Sequence, residues 1–365
     1  MPEPTIRMRM LRDDEPLPAE ASPVFDDARA GNLFYSRAWL ECYRRHGVPP
    51  GDRLQLHAMD RDDDGTLLAL LPAVFSRLYE AHPRARVLHF LQPEALAHMP
   101  LFSRADAAVP GLETLMDSLR VGIRPYDVLR FSPLRPGAPV FHALESVLRR
   151  SGHALQVYRL APEYYASTPA ATFAEFLAAR PAALRERLDQ GRAAHADAGF
   201  RLVCDADGVD DGLRDYCKIL DANESDPESE PSSYLPNVMR VAAQCGALRL
   251  GILYLGGQPA AIQLWMVSGG RARCLRAWSV FSRQEEWPDD LLSERILAHL
   301  IDIDRVGELS YGALDDGFIS DWADAAREQF GLAAFNLRTW RGLKGTLRHV
   351  GADALKSVFR RAARR

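Results

Sequence analysis

Residues 248–270 read LRLGILYLGGQPAAIQLWMVSGG: an apolar run, a Gly-Gly pair and a second apolar run. Two runs of strand length joined in this way predict a β-hairpin, because glycine adopts the positive φ angles of a tight hairpin turn. Residues 54–76, LQLHAMDRDDDGTLLALLPAVFS, repeat the plan with Asp64 and Gly65 at the turn. A chance match is the alternative, since such hairpins are common. Each hairpin follows a helical pattern, so we expect two similar halves.

The composition is that of a folded chain. It has 365 residues, of which 47% are hydrophobic and 26% charged, with a net charge of −4. This length favours two domains, and the charge gives no reason to expect DNA binding. The N-terminal residues lack a signal-peptide core, and no run approaches the roughly 18 apolar residues of a membrane span, so we expect a cytoplasmic location. Five scattered cysteines without a CxxC pair favour neither disulfides nor a metal site.

The boundary between the halves is expected near residues 160–172, where APEYYASTPAAT holds two prolines and no periodicity. The predicted organisation is an N-terminal domain of residues 1–165 and a C-terminal, catalytic domain of residues 166–345. A basic amphipathic tail, residues 346–365, follows them.

The order of elements in the second half indicates its fold. After a capping box made by Thr172 and Glu175, the pattern predicts helix, strand, two helices, three antiparallel strands, helix, strand, helix and strand. With this order, and with the motifs FYSRAWLECY, PAALRERLDQ, LGILYLGGQPAAIQLWM and DDGFISDWADAAREQFGLAAFNLRTWRGL, the chain resembles the GNAT superfamily of N-acyltransferases. The resemblance is to the tandem-domain proteins grouped with Fem-type peptidyltransferases and CelD-type proteins, and it covers roughly residues 30–343. It implies an α/β (α+β) fold of tandem GNAT-like domains, each a mixed, mostly antiparallel sheet flanked by helices.

The resemblance also implies a donor channel, where the fourth and fifth strands of the second domain splay apart. The pantetheine arm of a thioester donor would pair with backbone exposed there, and a backbone N–H would polarise the thioester carbonyl. The co-substrate would be an acyl-CoA or an acyl carrier protein thioester, with no covalently bound cofactor and no metal. Trp278 in this stretch is otherwise an ordinary core aromatic. The residues expected to bind the donor are Arg276, Ala277, Trp278, Ser279 and Arg283.

The helix after the fourth strand departs from the family's pattern. The diphosphate of coenzyme A would lie at the N-terminus of this helix, where free N–H groups favour anions. The junction reads RQEEWPDDLL, and Asp289 and Asp290 in its first turn would repel a diphosphate. A carrier protein presents a single phosphodiester there, which favours it as the donor. The acidic surface of a carrier protein could bind the arginines of the tail or three others, Arg185, Arg187 and Arg192.

Residues 311–322, YGALDDGFISDW, carry the candidate catalytic groups. Aminolysis of a thioester requires a base for the amine and an acid for the departing thiol. Asp315 or Asp316 is expected to be the base and Tyr311 the acid; alternatively, the acidic pair only stabilises the helix that follows. Ile319 stands where the resembling proteins carry a lysine, which leaves altered or lost activity open. The acceptor is expected to contact Asn223, Glu224, Gln263 and Trp322.

The predicted function is transfer of an acyl group from a thioester to a primary amine of a small molecule or peptide. Acidic residues 221–230 would steer a cationic acceptor, or form a solvated loop. The tail would contact anionic lipid at a membrane surface, a carrier protein or, less favoured, tRNA. Alternatively, it is only a frayed terminus. Two alternatives stay open: Fem-type aminoacyl transfer from aminoacyl-tRNA, and a non-catalytic, degenerate GNAT pair that serves as a binding module.

Overall fold

The computed structural model describes residues 6–11, 17, 21–25, 32–77, 85–91, 102–103, 126–168, 172–222, 233–280, 287–313 and 319–362. The strands are, in chain order, β1 Ile6–Leu11, β2 Arg53–Arg61, β3 Leu67–Ser76, β4 Val87–Phe90, β5 Phe102–Ser103, β6 Val128–Leu134, β7 His153–Arg159, β8 Glu163–Ser167, β9 Gly199–Val203, β10 Leu248–Leu255, β11 Gln258–Ser268, β12 Arg271–Ser279, β13 Glu308–Gly312, β14 Ala325–Arg327 and β15 Phe330–Asn336.

The α-helices are α1 Ser22–Phe25, α2 Arg37–Cys42, α3 Pro139–Arg150, α4 Phe173–Ala178, α5 Ala182–Ala194, α6 Ala206–Ala222, α7 Tyr234–Gln244, α8 Pro288–Asp302, α9 Ile319–Trp322 and α10 Trp340–Ala362. A 3₁₀ turn, Leu33–Tyr35, precedes α2, and a π-helical turn, Tyr43–Gly47, extends it. Of the helices in the described ranges, none combines the length and the apolar composition that crossing a bilayer requires.

The strands form two sheets. The first has the order β1-β2-β3-β4-β6-β15-β7, with β5 beside β3, and the second has the order β14-β8-β13-β12-β11-β10-β9. Neighbouring strands are antiparallel except for β4 with β6 and β12 with β13, which are parallel. Both predicted hairpins are present, β2 with β3 and β10 with β11. These two mixed sheets with flanking helices confirm the predicted fold class.

Local sequence signals act as expected at the hairpin and at the first helix of the second half. Gly256 and Gly257 have φ angles of 59° and 74°, the left-handed conformation that a two-residue hairpin turn requires. The side chain of Thr172 accepts a hydrogen bond from the backbone N–H of Glu175, and the Glu175 carboxylate accepts one from the backbone N–H of Thr172. This capping box satisfies N–H groups at the start of α4.

The two halves exchange strands. β8 comes from the end of the first half but lies in the second sheet, between β13 and β14. β15 comes from the end of the chain but lies in the first sheet, between β6 and β7. The sequence-based division after residue 165 falls inside β8. β15, which its sequence position assigns to the second half, lies in the first sheet. Each sheet is completed by backbone hydrogen bonds from the other half, which no local pattern encodes.

A large hydrophobic cluster contains residues of both halves. It includes Trp39 and Leu40 of α2 together with Val238 and Met239 of α7 and Ile252 of β10. The indole N–H of Trp39 donates to the Tyr234 hydroxyl at 3.2 Å, so a polar contact fixes the same interface. The two units therefore pack through a common core as well as through the exchanged strands.

Candidate active site

The pairing between the two parallel strands of the second sheet is short. β12 and β13 pair over three residues only, Arg271–Arg273 with Glu308–Ser310. Beyond them, β12 continues to Ser279 and β13 to Gly312 without further pairing to each other. The register of β12 against β11 also shifts around Leu275, and irregularities such as β-bulges are common beside active sites. We name the unpaired stretch between the two strands, residues 274–279 of β12 and 311–312 of β13, the wedge.

The first sheet also contains one parallel pair among its described strands. There the corresponding parallel pair is β4 with β6, and every residue of β4 is in register with β6, from Val87 opposite Val128 to Phe90 opposite Phe131. The rings of Phe90 and Phe131 stack at 4.6 Å between centroids at the last paired position. Among the described residues, β6 runs three residues past this pairing, 132–134, and β12 runs six residues past its own, 274–279, so the longer unpaired edge is in the second sheet.

The predicted donor residues on β12 follow the wedge. Arg276, Ala277 and Trp278 are half-buried. The guanidinium of Arg276 lies 5.9 Å from the ring of Trp278, and that ring packs at 5.1 Å against Tyr216 of α6. Trp278 is therefore both a packing residue and part of the wedge wall. Arg283 lies outside the described residues.

Ser279, the last residue of β12, connects the strand to the start of α8. Its hydroxyl donates to the carboxylate of Asp289 at 2.5 Å, and its side chain is buried. Trp287 precedes the helix in the left-handed conformation, with φ 50° and ψ 46°, and Pro288 occupies the first helical turn. Ser279 thus serves to hold the start of α8 at the wedge.

Asp290 does not present a free charge to a ligand. It is buried, its carboxylate accepts a hydrogen bond from Arg187 Nε at 2.8 Å, and it accepts another from the indole N–H of Trp322 at 3.1 Å. Arg187 also donates to Asp321 at 2.8 Å. The hydrogen bond to Asp290 raises the pKa of Arg187. The repulsion expected from two carboxylates is therefore reduced to that of Asp289, and Arg187 is occupied rather than available to a carrier protein.

The acidic pair Asp315 and Asp316 lies outside the described residues, but both flanks of the pair are placed. On one side β13 ends at Gly312, where a Cβ would lie 3.7 Å from the backbone carbonyl oxygen of Cys274 in β12. On the other side α9 begins at Ile319, and its buried Trp322 is tied to the first turn of α8. The described flanks thus lie at the wedge and at the helix beside it.

Three predicted site residues belong to the core. Tyr311 is buried against Trp265, and its hydroxyl donates to the backbone carbonyl of Trp322 at 3.5 Å; burial raises its pKa above the usual range. The Gln263 amide donates to Ser293 and accepts from the indole N–H of Trp265. Trp322 is fully buried. These groups are buried and hydrogen-bonded in the core, and the acid role of Tyr311 and the acceptor contacts of Gln263 and Trp322 stay predictions. Asn223 and Glu224 lie outside the described residues.

A buried carboxylate that the sequence analysis missed lies beside β13. Glu163 of β8 accepts a hydrogen bond from Ser310 of β13 at 2.7 Å. Arg135 and Arg327 approach the same carboxylate at 3.8 and 3.5 Å, and the Gln329 amide donates to it at 3.4 Å. This cluster fixes β13, one wall of the wedge, to the exchanged strand β8. Nothing in the local sequence indicates it, because its members come from four separate segments.

Comparison with known proteins agrees with this geometry. Residues 179–318 match the family model described as Acetyltransferase (GNAT) domain, a range that contains β12, β13 and α8. A search of curated proteins finds no match.

Solved structures share the fold across nearly the whole chain. FemX superposes with a TM-score of 0.57 at 10% identity, covering 91% of this chain and 97% of its own. L-PGS from Bacillus licheniformis gives 0.53 at 12% identity, covering 89% and 94%. A tandem GNAT protein from the clavulanic acid biosynthesis pathway gives 0.50 at 10% identity, covering 90% and 98%. The chain thus has the fold of a tandem GNAT protein, and residues 179–318 in its second half match the acetyltransferase (GNAT) domain family.

Proposed function

We propose that the protein transfers an acyl group from a thioester donor to a primary amine, with the reaction at the wedge between β12 and β13. The observation that carries this proposal is that the pairing of the two parallel strands stops after three residues, beside the register shift at Leu275. Backbone N–H and C=O groups on the open side of β12 are suited to pair with the amide groups of a pantetheine arm, as an added strand would.

In the proposed reaction, the amine nitrogen attacks the thioester carbonyl carbon and the carbon–sulfur bond breaks. A backbone N–H of β12 donates to the developing oxyanion, which lowers the barrier because the donor is already oriented. Asp315 or Asp316 accepts the proton of the amine, and the thiolate leaves and takes up a proton. With Tyr311 in the core, we assign no side chain as the acid.

The donor is a coenzyme A or carrier-protein thioester. The ion pair of Asp290 with Arg187 weakens the electrostatic case against coenzyme A, while Asp289 keeps a carboxylate in the first turn of α8. The acceptor is a small-molecule or peptide amine; acidic residues 221–230 would attract a cationic one.

Binding at the wedge can be tested without knowing the acceptor. Hydrogen–deuterium exchange is measured with and without coenzyme A, and then with a carrier protein bearing phosphopantetheine. We expect slower exchange in residues 274–280 and no change in residues 87–91, the paired strand of the first sheet. Protection in neither donor experiment, or protection of both segments alike, would contradict the wedge as donor site.

Activity is tested by thiol release from a series of acyl thioesters mixed with amines, with mass spectrometry of the acylated product. The competing Fem-type function, aminoacyl transfer from tRNA, rests on the fold shared with FemX. Transfer that is abolished by ribonuclease and unsupported by thioesters would select it. Donor binding without product from any tested amine or tRNA would favour the non-catalytic binding module.

A further inference from the structure

The last helix, α10, has one face against the first sheet. The ring of His349 stacks on Phe335 of β15 at 5.6 Å between centroids. A Cβ at Gly345 would lie 2.5 Å from the Phe335 ring, so this glycine permits the helix to approach the strand closely. The helix also contacts the edge strand β7. These contacts determine which side of α10 faces solvent.

The opposite face of α10 exposes large apolar side chains. Trp340 is 69% exposed, Leu343 37% and Leu347 70%. Their spacing of three and four residues places them in one stripe along the helix. Exposed apolar side chains in a contiguous stripe are unusual for a surface that meets only water, and they mark an interaction surface.

Basic side chains border this stripe. Arg341, Lys344 and Arg348 lie in the same turns, and the Lys344 ammonium is 5.3 Å from the Trp340 ring centroid. Residues 338–365 contain nine lysines and arginines and one aspartate, which gives this segment a formal charge of nine minus one, or +8, in a chain whose net charge is −4. The positive charge is thus concentrated at one end of the chain, where the apolar stripe lies.

We propose that the stripe of Trp340, Leu343 and Leu347, with its bordering cations, binds the surface of an anionic phospholipid bilayer. A helix with an apolar face and a cationic border lies in the plane of the interface, where its aromatic and aliphatic side chains enter the headgroup region. The cations are attracted to anionic headgroups over a distance of about one Debye length. The occupant is assigned by the combination of the two features: charge alone would suit a nucleic acid, whereas three large apolar side chains have no use in contacts with phosphates.

The test is vesicle sedimentation with the full-length protein. Vesicles of phosphatidylcholine containing 30% phosphatidylglycerol are compared with vesicles of phosphatidylcholine alone, at about 0.1 M and 0.5 M salt. We expect the protein to sediment with the anionic vesicles, to remain in solution with the neutral ones, and to be released at the higher salt. Equal partition onto both kinds of vesicle, or no binding to either, would overturn the proposal.

Variants separate the stripe from charge alone. Trp340→Ser with Leu347→Ser is expected to reduce partition onto anionic vesicles by about tenfold or more, and Arg341→Glu with Lys344→Glu by at least as much. Ile303→Ser removes an equally exposed aliphatic side chain outside α10 and should leave partition unchanged. Because these side chains are exposed, unchanged melting temperatures will show that the variants fold.

A different partner would give a different pattern. Unchanged partition of the Trp340→Ser, Leu347→Ser variant would overturn the role of the stripe. Tight binding to tRNA or to a carrier protein, lost in the charge variant but retained in the apolar variant, with no vesicle binding, would assign the segment to that partner instead. Acyl transfer at the wedge is measured separately in solution, so failure of the membrane proposal leaves the proposed reaction unaffected.

Discussion

The buried contact of Asp290 with Arg187 permits a quantitative prediction. Asp290→Asn keeps the size of the side chain and an oxygen that can accept from the Trp322 indole. It removes the negative charge and places an amide N–H donor opposite the Arg187 Nε–H donor. Breaking a buried ion pair from one side costs about 3–5 kcal/mol. Arg187 is 29% exposed to solvent and keeps Asp321 as a partner, so we expect a smaller loss, about 2 kcal/mol.

The assay is differential scanning calorimetry. With an unfolding entropy of about 2.1 cal/mol/K per residue, the 365-residue chain gives about 0.8 kcal/mol/K, so 2 kcal/mol corresponds to a fall in melting temperature of about 2–3 °C. Asp289→Asn is the matched control. It removes one charge from the same helical turn but can keep its hydrogen bond from Ser279, and we expect it to lose less than about 1 kcal/mol.

A double-mutant cycle with Arg187→Met isolates the pair. If the pair carries the effect, the double variant is more stable than the sum of the two single losses predicts, by about 1–2 kcal/mol. Equal loss in the Asp289→Asn and Asp290→Asn variants, with additive behaviour in the cycle, would refute the reasoning. Asp290 would then act through the charge of the helix terminus and not through Arg187.

Three further predictions concern catalysis, assembly and pH. Replacing the catalytic member of the pair Asp315 and Asp316 by Asn should lower turnover roughly 10²–10⁴-fold with little change in melting temperature; unchanged turnover in both single variants would make the pair structural. A chain that ends at residue 329 lacks β15, and calorimetry should show that its first sheet no longer unfolds cooperatively. A chain that ends at residue 351 keeps β15 and should retain cooperative unfolding. Equal cooperativity of the two chains would argue against the strand exchange. Burial lowers the pKa of His57 from 6.5 to about 4. The free energy of unfolding is therefore unaffected by His57 above pH 6.5 and falls by up to about 3 kcal/mol as the pH falls toward 4, because the unfolded chain takes up the proton more readily. A His57→Leu variant should show a shallower fall in melting temperature over this range, and an identical fall would exclude His57 as the cause.

The sequence was most informative where neighbouring residues decide the structure. The glycine pair of the second hairpin adopts the positive φ angles that its tight turn requires, and the Thr172 capping box closes within one helical turn. Together with the motifs, the order of such elements was sufficient to indicate the GNAT fold and to name the fourth and fifth strands of the second domain as the expected donor site. These inferences hold because turn chemistry and hydrophobic periodicity depend on short stretches of chain.

The sequence was uninformative about burial where polar residues close to functional motifs are satisfied by distant partners. Gln263 and Tyr311 look accessible from their motifs, yet Ser293, Trp265 and the Trp322 carbonyl bind them in the core. Burial depends on what packs above a strand, and side chains from other segments provide that cover. A polar residue in a strand pattern therefore does not reveal by itself whether it faces a ligand or a helix.

The sequence by itself thus determined the elements, their order, the family resemblance and the concentration of positive charge in the last 28 residues. Only the tertiary structure decided that β8 and β15 change sheets, that Arg187 neutralises Asp290, and that Trp340, Leu343 and Leu347 face solvent. The physical reason is range: turns, caps and periodicity are set by residues a few positions apart, whereas strand partners and charge pairs join residues more than 100 positions apart, such as Arg187 and Asp290 at a separation of 103.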